Sequence, residues 1–190
     1  MNPETSTRGY QKAYRFQHIL EWVVHNHGEA GLKTLRDKAD PALRKLIYGP
    51  LLPSARLPYG TNQKLLQLIL DTFYGGEVRR AAEITRAVTQ RDISTVMKFV
   101  LTWATPRMLF RMAESIWKIY TDTGSLKVTE IDTRHSECVI TGLPANTPIE
   151  AYDFAGSAMA YLDSCRAKNV ALEDLSVDNK GIRMRFRYDL

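Results

Sequence analysis

The chain has 190 residues, 44% of them hydrophobic and 25% charged, with a formal net charge of +5. That length suits one domain, and that composition excludes a disordered chain, a collagen and a coiled-coil rod. No stretch approaches the roughly 20 apolar residues of a membrane span. Residues 1–15 lack the apolar centre of a secretory signal, and two cysteines make no disulfide framework, so a cytoplasmic protein is expected.

Charge is uneven along the chain. Residues 1–120 carry 18 Lys and Arg against 10 Asp and Glu, whereas residues 121–190 carry 8 against 11. This bias permits an acidic partner. The basic residues are scattered over helical patterns, however, where solvated faces explain them. No basic run or base-reading motif points to nucleic acid.

Residues 1–8 read as a flexible end. From 9 to 123 the pattern is helix after helix. The first is predicted over Gly9–Asn26, with Tyr14, Ile19, Leu20, Val23 and Val24 near helical spacing, and Gly28 ends it. A second starts at Glu29. A short third starts at Asp40, with Pro41 suited to a first turn. Gly49, Pro50, Pro53, Pro58 and Gly60 make 48–60 an irregular connection. The helix predicted over Asn62–Tyr74 is apolar nearly all round and belongs in the core. Gly75 and Gly76 close it. An amphipathic helix follows over Glu77–Gln90, then a short one capped by Asp92 and running to Trp103. The longest pattern, Pro106–Thr121, sets Met108, Leu109, Met112, Ile116 and Trp117 on one side.

The pattern changes at Gly124. Strands are predicted over Leu126–Thr133 and Glu137–Gly142, a helix over Ile149–Lys168, and strands over Val170–Val177 and Ile182–Tyr188. The last strand alternates Ile182, Met184, Phe186 and Tyr188 with Arg183, Arg185 and Arg187, which means one buried and one wet face. The expected fold is α+β. One domain, 9–190, packs a helical part (9–123) on a four-stranded antiparallel ββαββ sheet (124–190).

Reaction chemistry is sparse. His18 and His25 share a helix face but lie about 10.5 Å apart along the axis, too far to bind one metal, and His27 falls near the helix end. Cys138 and Cys165 lack CxxC spacing and read as small buried hydrophobes, and His135 is not aimed at Cys138 by a strand. Gly75-Gly76 before Arg79 and Arg80 explains itself as a helix–helix break. Glu173 and Asp174 are adjacent on a strand and should point to opposite faces. No nucleophile elbow, phosphate loop or zinc motif occurs. The arginine row at 183, 185 and 187 is the most informative surface feature. It reads as protection of a sheet edge, as pairing with local acids such as Glu130 and Asp132, or as a docking face for an acidic protein or a phosphate. Phe73, Phe99, Trp103 and Trp117 are candidates to line a pocket for an apolar ligand, although core packing also accounts for aromatic residues at such spacing.

The run IWKIYTDTGSLKVTEI (116–131), then VITGLP (139–144), in a helices-then-ββαββ layout resembles the superfamily of 4-vinyl-reductase-like domains, TRAPP transport subunits and haem-nitric-oxide-binding domains. The segments LKTLRDKADPALRKLI (32–47), LPSARLPYGTNQKLLQLI (52–69) and FYGGEVRRAAEITRAVTQRDISTVMKFVL (73–101) are more specifically similar to a family of cytosolic domains expanded as paralogues in myxobacteria. The resemblance spans residues 9–190. It implies the α+β fold and a binding role without an established reaction. In LEDLSVDNKGIRMRFRY (172–188), Ser176 stands where the superfamily's first metal-binding cysteine is expected and no second cysteine follows, so no metal is expected. No Tyr-x-Ser-x-Arg occurs, so no haem or other cofactor is expected either.

The function expected from these features is a non-enzymatic signalling or scaffolding module. It would act through protein contacts or homodimerisation, with Arg183, Arg185 and Arg187 at the contact. The alternative is a sensor holding a fatty-acyl-like or aromatic ligand between helices and sheet.

Overall fold

The structure, a computed structural model, describes residues 9–93 and 101–190. Strand β1 (Tyr10–Lys12) runs directly into helix α1 (Ala13–Lys38). Gly28 interrupts α1 with φ 67° and ψ −177°, so its two halves meet at a kink where the sequence places a terminator. Helix α2 (Pro41–Tyr48) begins as expected: the Asp40 carboxylate accepts the Leu43 amide at 2.8 Å, and Pro41 fills the first turn. Strand β2 (Arg56–Pro58) then pairs antiparallel with β1, so the segment 48–60 is not wholly irregular. Each of these strands has three residues with only the central one buried, Gln11 or Leu57. Runs that short leave no periodic signature.

Helices α3 (Thr61–Phe73) and α4 (Arg80–Asp92) pack with α1 and α2 around Phe16, Ile19, Leu35, Leu65, Ile69 and Val88. The helix expected from Asp92 to Trp103 lies mostly outside the described residues, and Asp92 itself ends α4. Helix α5 (Pro106–Tyr120) is capped by the Thr105 hydroxyl, which accepts the Met108 amide at 3.3 Å.

The C-terminal part is β3 (Ser125–Glu130), β4 (His135–Thr141), α6 (Pro148–Asp163), β5 (Lys168–Asp178) and β6 (Gly181–Asp189). A reciprocal capping box starts α6: the Thr147 hydroxyl accepts the Glu150 amide at 3.3 Å, and the Glu150 carboxylate accepts the Thr147 amide at 3.1 Å. The four strands form one antiparallel sheet in the order β3-β4-β6-β5. On β6 the side chains of Ile182, Met184, Phe186 and Tyr188 are buried, Phe186 at 0% exposure, and the arginines between them are exposed. β5 carries a bulge: Leu172 pairs with Phe186 and Asp174 with Arg185, leaving Glu173 extra. Glu173 and Asp174 are therefore both exposed instead of facing opposite ways.

Helix α6 lies between two hydrophobic cores. One joins the inner sheet face to α5 and α6; the other fills the space between α1, α2, α3 and α4; Tyr152 packs against both. Small residues on α6 (Ala151, Ala155, Gly156 and Ala160) are buried. They let it approach α4 so closely that a Cβ on Gly156 would sit 2.3 Å from the Ala82 carbonyl oxygen. Among the described residues no helix is long and apolar enough to cross a membrane.

Candidate ligand cavity

β6 is an interior strand, so Arg183, Arg185 and Arg187 do not guard a sheet edge. Their carboxylate partners are Glu137, 3.4 Å from Arg183 and 3.9 Å from Arg185, and Glu173, 3.2 Å from Arg187. Glu130 instead meets Arg107 and Asp132 meets His135. The row is thus an exposed ion-pair ladder on the outer sheet face, each pair worth about 0–1 kcal/mol. Its charge is largely compensated where it stands.

The histidines are dispersed. His18 pairs with Asp92, His25 is exposed, His27 stacks on Phe73 at 4.0 Å between centroids, and His135 joins Asp132 at 2.9 Å. Among the described residues no group of His, Cys, Asp and Glu could hold a metal. Both cysteines are buried and free, and burial pushes the Cys138 thiol up to about 12. Arg80 behind the Gly75-Gly76 break is held by Glu77 and Glu83.

The feature that gathers chemistry is a cavity of about 130 Å³ between the helical layer and the sheet. Its apolar wall comes from α5 (Ile116, Trp117), the inner sheet face (Leu126, Ile140, Met184) and Phe154 of α6. Trp117 lies tilted against Phe154 at 5.1 Å between centroids, and its indole N–H donates to the Thr123 carbonyl at 3.1 Å, fixing the ring.

The opposite wall is polar. Arg15 of α1 donates to Asp153 at 2.5 Å and Ser157 at 2.8 Å, both on α6, and to Thr89 of α4 at 3.1 Å. The second Asp153 oxygen accepts from Gln63 at 3.1 Å. Burial opposes the Arg15 charge, but Asp153 and Asp92 outweigh it and the guanidinium pKa is raised. Tyr120 and Tyr161 share a 2.6 Å hydroxyl–hydroxyl bond beside this network. At the end formed by β1, β2 and the start of α3, two lining residues keep a buried polar atom without a protein partner, the side-chain carbonyls of Gln11 and Asn62, and the Tyr59 hydroxyl lies beside the Glu150 carboxylate.

Of the aromatic residues predicted to line a pocket, Trp117 lines this one. Phe73 does not: it lies in the other core beneath His27. Trp103 does not line it either: it is 64% exposed, with Arg166 over its ring. Phe99 lies outside the described residues. Sequence reasoning missed the polar wall. One signal was available: Asp153 interrupts the apolar pattern of α6 between Tyr152 and Phe154. Arg15 and Asn62 sit in ordinary polar helix starts and carried none.

No family model matches the chain, and no curated protein matches its sequence. Solved structures do share its shape. An unliganded Fe(II) H-NOX protein from K. algicida is 11% identical with a TM-score of 0.69, covering 94% of this chain and 97% of that one. A mutant H-NOX from T. tengcongensis is 10% identical with a TM-score of 0.61, covering 95% and 98%. An oxygen-binding H-NOX domain related to soluble guanylate cyclases is 11% identical with a TM-score of 0.57, covering 94% and 95%. The chain therefore has an H-NOX-like α+β fold.

Heme is associated with that fold, and the residues here do not fit it. None of the four histidines lines the cavity. The lining Cys138 is held as the thiol, and thiolate is the form that ligates haem iron. Burial likewise holds the Tyr161 hydroxyl protonated, with its pKa raised. A tetrapyrrole is several rings wide, far larger than a space of about 130 Å³.

Proposed function

We propose that this chain is a cytoplasmic sensor domain, without catalytic activity, that binds a small apolar or aromatic ligand between its helical layer and its sheet. The observation that carries this reading is the cavity itself: an apolar wall built on Trp117, Phe154 and Met184 faces a buried polar wall built on Arg15 and Asp153. Ligand sites combine these two features, an apolar lining and a few placed polar groups. The H-NOX proteins of the same fold include one described as oxygen-binding, which supports a sensing role for this architecture. At about 130 Å³ the space suits a single ring or a short branched chain and is too small for a long acyl chain.

α6 offers a route for the signal. It lines the cavity on one side and packs on α4 on the other, so a ligand that moves α6 acts on both cores. Output would pass to a protein partner or a second copy of the chain over the outer sheet face, where Arg183, Arg185 and Arg187 are exposed. The scaffolding role expected from that face alone is weaker, because Glu137 and Glu173 already meet the arginines. The same reading places the chain with the cytosolic myxobacterial paralogues it resembles.

Native mass spectrometry of protein purified without added ligand, followed by thermal unfolding with single-ring probes, tests the proposal. A retained small adduct, or a rise in Tm with a ring-sized probe, is expected. A bare mass together with no thermal response to any ring-sized probe would sink it.

A further inference from the structure

The polar wall constrains which ligand the cavity accepts. Among the described residues Arg15 is its only guanidinium, and Asp153, Ser157 and Thr89 already accept from it. A ligand carboxylate would have to displace Asp153 from a 2.5 Å ion pair and would meet the nearby Glu150 as well. A ligand cation would face Arg15 and Lys12. The wall is electrically closed, and burying an uncompensated charge against it is costly.

The other end is chemically open. Asn62 is 1% and Gln11 7% exposed, yet each keeps a side-chain oxygen with no protein partner, and Tyr59 beside them turns its hydroxyl to the Glu150 carboxylate. Buried polar groups are nearly always satisfied, so two unsatisfied oxygens on adjoining elements call for a partner. β1 and β2 pair Gln11 with Leu57, the Tyr59 amide donates to the Gly9 carbonyl, and Asn62 opens α3 three residues later, so all three belong to one end of the cavity. Two of them are side-chain amides, which both donate and accept. Their complement is another amide, whose N–H bonds donate to a side-chain carbonyl while its C=O accepts from an amide or hydroxyl.

We infer that the ligand is a neutral, ring-sized carboxamide, its amide held by Asn62, Gln11 and Tyr59 and its ring against Trp117 and Phe154. This inference rests on the sensor reading above but goes further than it. A purely apolar ring would satisfy the cavity and leave the Gln11 and Asn62 oxygens unpaired. Discrimination by such atoms is large, because a site built to hydrogen-bond loses most when the partner is missing.

The test is calorimetric titration of the full chain with benzamide, benzoate and toluene, repeated on Asn62→Leu and Tyr59→Phe. Benzamide should bind the parent protein at least tenfold more tightly than either analogue. Asn62→Leu should abolish that preference while keeping toluene affinity, and Tyr59→Phe, which removes one oxygen and keeps the ring, should weaken benzamide about threefold or more. If Asn62→Leu does not fold, Tyr59→Phe decides the point alone. Equal affinity for toluene and benzamide, or a preference for benzoate, overturns the carboxamide inference and leaves the sensor reading standing. Binding of none of the three overturns this inference, while the sensor reading is then judged by the native mass and the wider set of ring-sized probes.

Discussion

Asp153 concentrates the structural argument at the scale of single residues. One carboxylate, almost wholly buried, holds Arg15 of α1 and Gln63 of α3 from its place on α6. Removing one partner of a buried pair leaves the other charge stranded, at a cost of about 3–5 kcal/mol. Asp153→Ala should lose that much stability in urea unfolding, whereas the double change Arg15→Met with Asp153→Leu should cost far less. A small loss in the single variant would contradict the burial of the pair. Glu150 behaves differently. Burial raises its pKa above 4.5, and Tyr59 and Thr147 pull it only partly back. A raised carboxyl pKa means the folded state holds the proton more tightly than the unfolded one. The penalty is therefore absent below pH 4.5 and grows as pH rises through the folded value. Glu150→Gln keeps the capping box without the charge. Its stability relative to the parent should therefore improve between pH 4 and pH 7, measured by unfolding at each pH; a difference that stays flat or shrinks would count against the account. Little at this scale was legible in advance. Partners such as Asp153 and Gln63 are 90 residues apart, and no local pattern joins them.

At the scale of elements, legibility followed length and regularity. The alternation of Ile182, Met184, Phe186 and Tyr188 with three arginines identified a strand with one buried face, and the starts of α2 and α5 were readable from Asp40-Pro41 and from Pro106. Two kinds of element escaped. β1 and β2 are too short for a period to show, and the β5 bulge shifts the register within a strand whose composition does not change. α6 makes the sharpest prediction here. A Cβ at Gly156 would stand 2.1 Å from the Thr85 hydroxyl and 2.3 Å from the Ala82 carbonyl, and the backbone atom cannot turn aside. Gly156→Ala gains about 1 kcal/mol of helix propensity. The forced separation of α4 and α6 should outweigh it, at roughly 1–3 kcal/mol of overpacking. Denaturant unfolding should show a lower midpoint; a stabilised variant would show that the two helices are not in contact.

At the scale of the whole molecule, the order helices, two strands, helix, two strands indicated an α+β fold before any coordinates, because each run of pattern was long enough to name its element. The cavity was not indicated. It depends on how far α5 and α6 stand from the sheet, a distance set by many side chains at once. Trp117 could be picked from its helix face, but Trp103 shares that composition and lies outside. The account's central claim is that the gap between α5, α6 and the sheet accepts a ligand. Methyl-resolved NMR during a toluene titration tests it most directly. The methyls of Ile116, Leu126, Ile140, Ala158 and Met184 should shift together and saturate, while those of Leu43, Ile47 and Val88 in the other core stay in place. Saturating shifts confined to the second core, or none anywhere, would contradict the account.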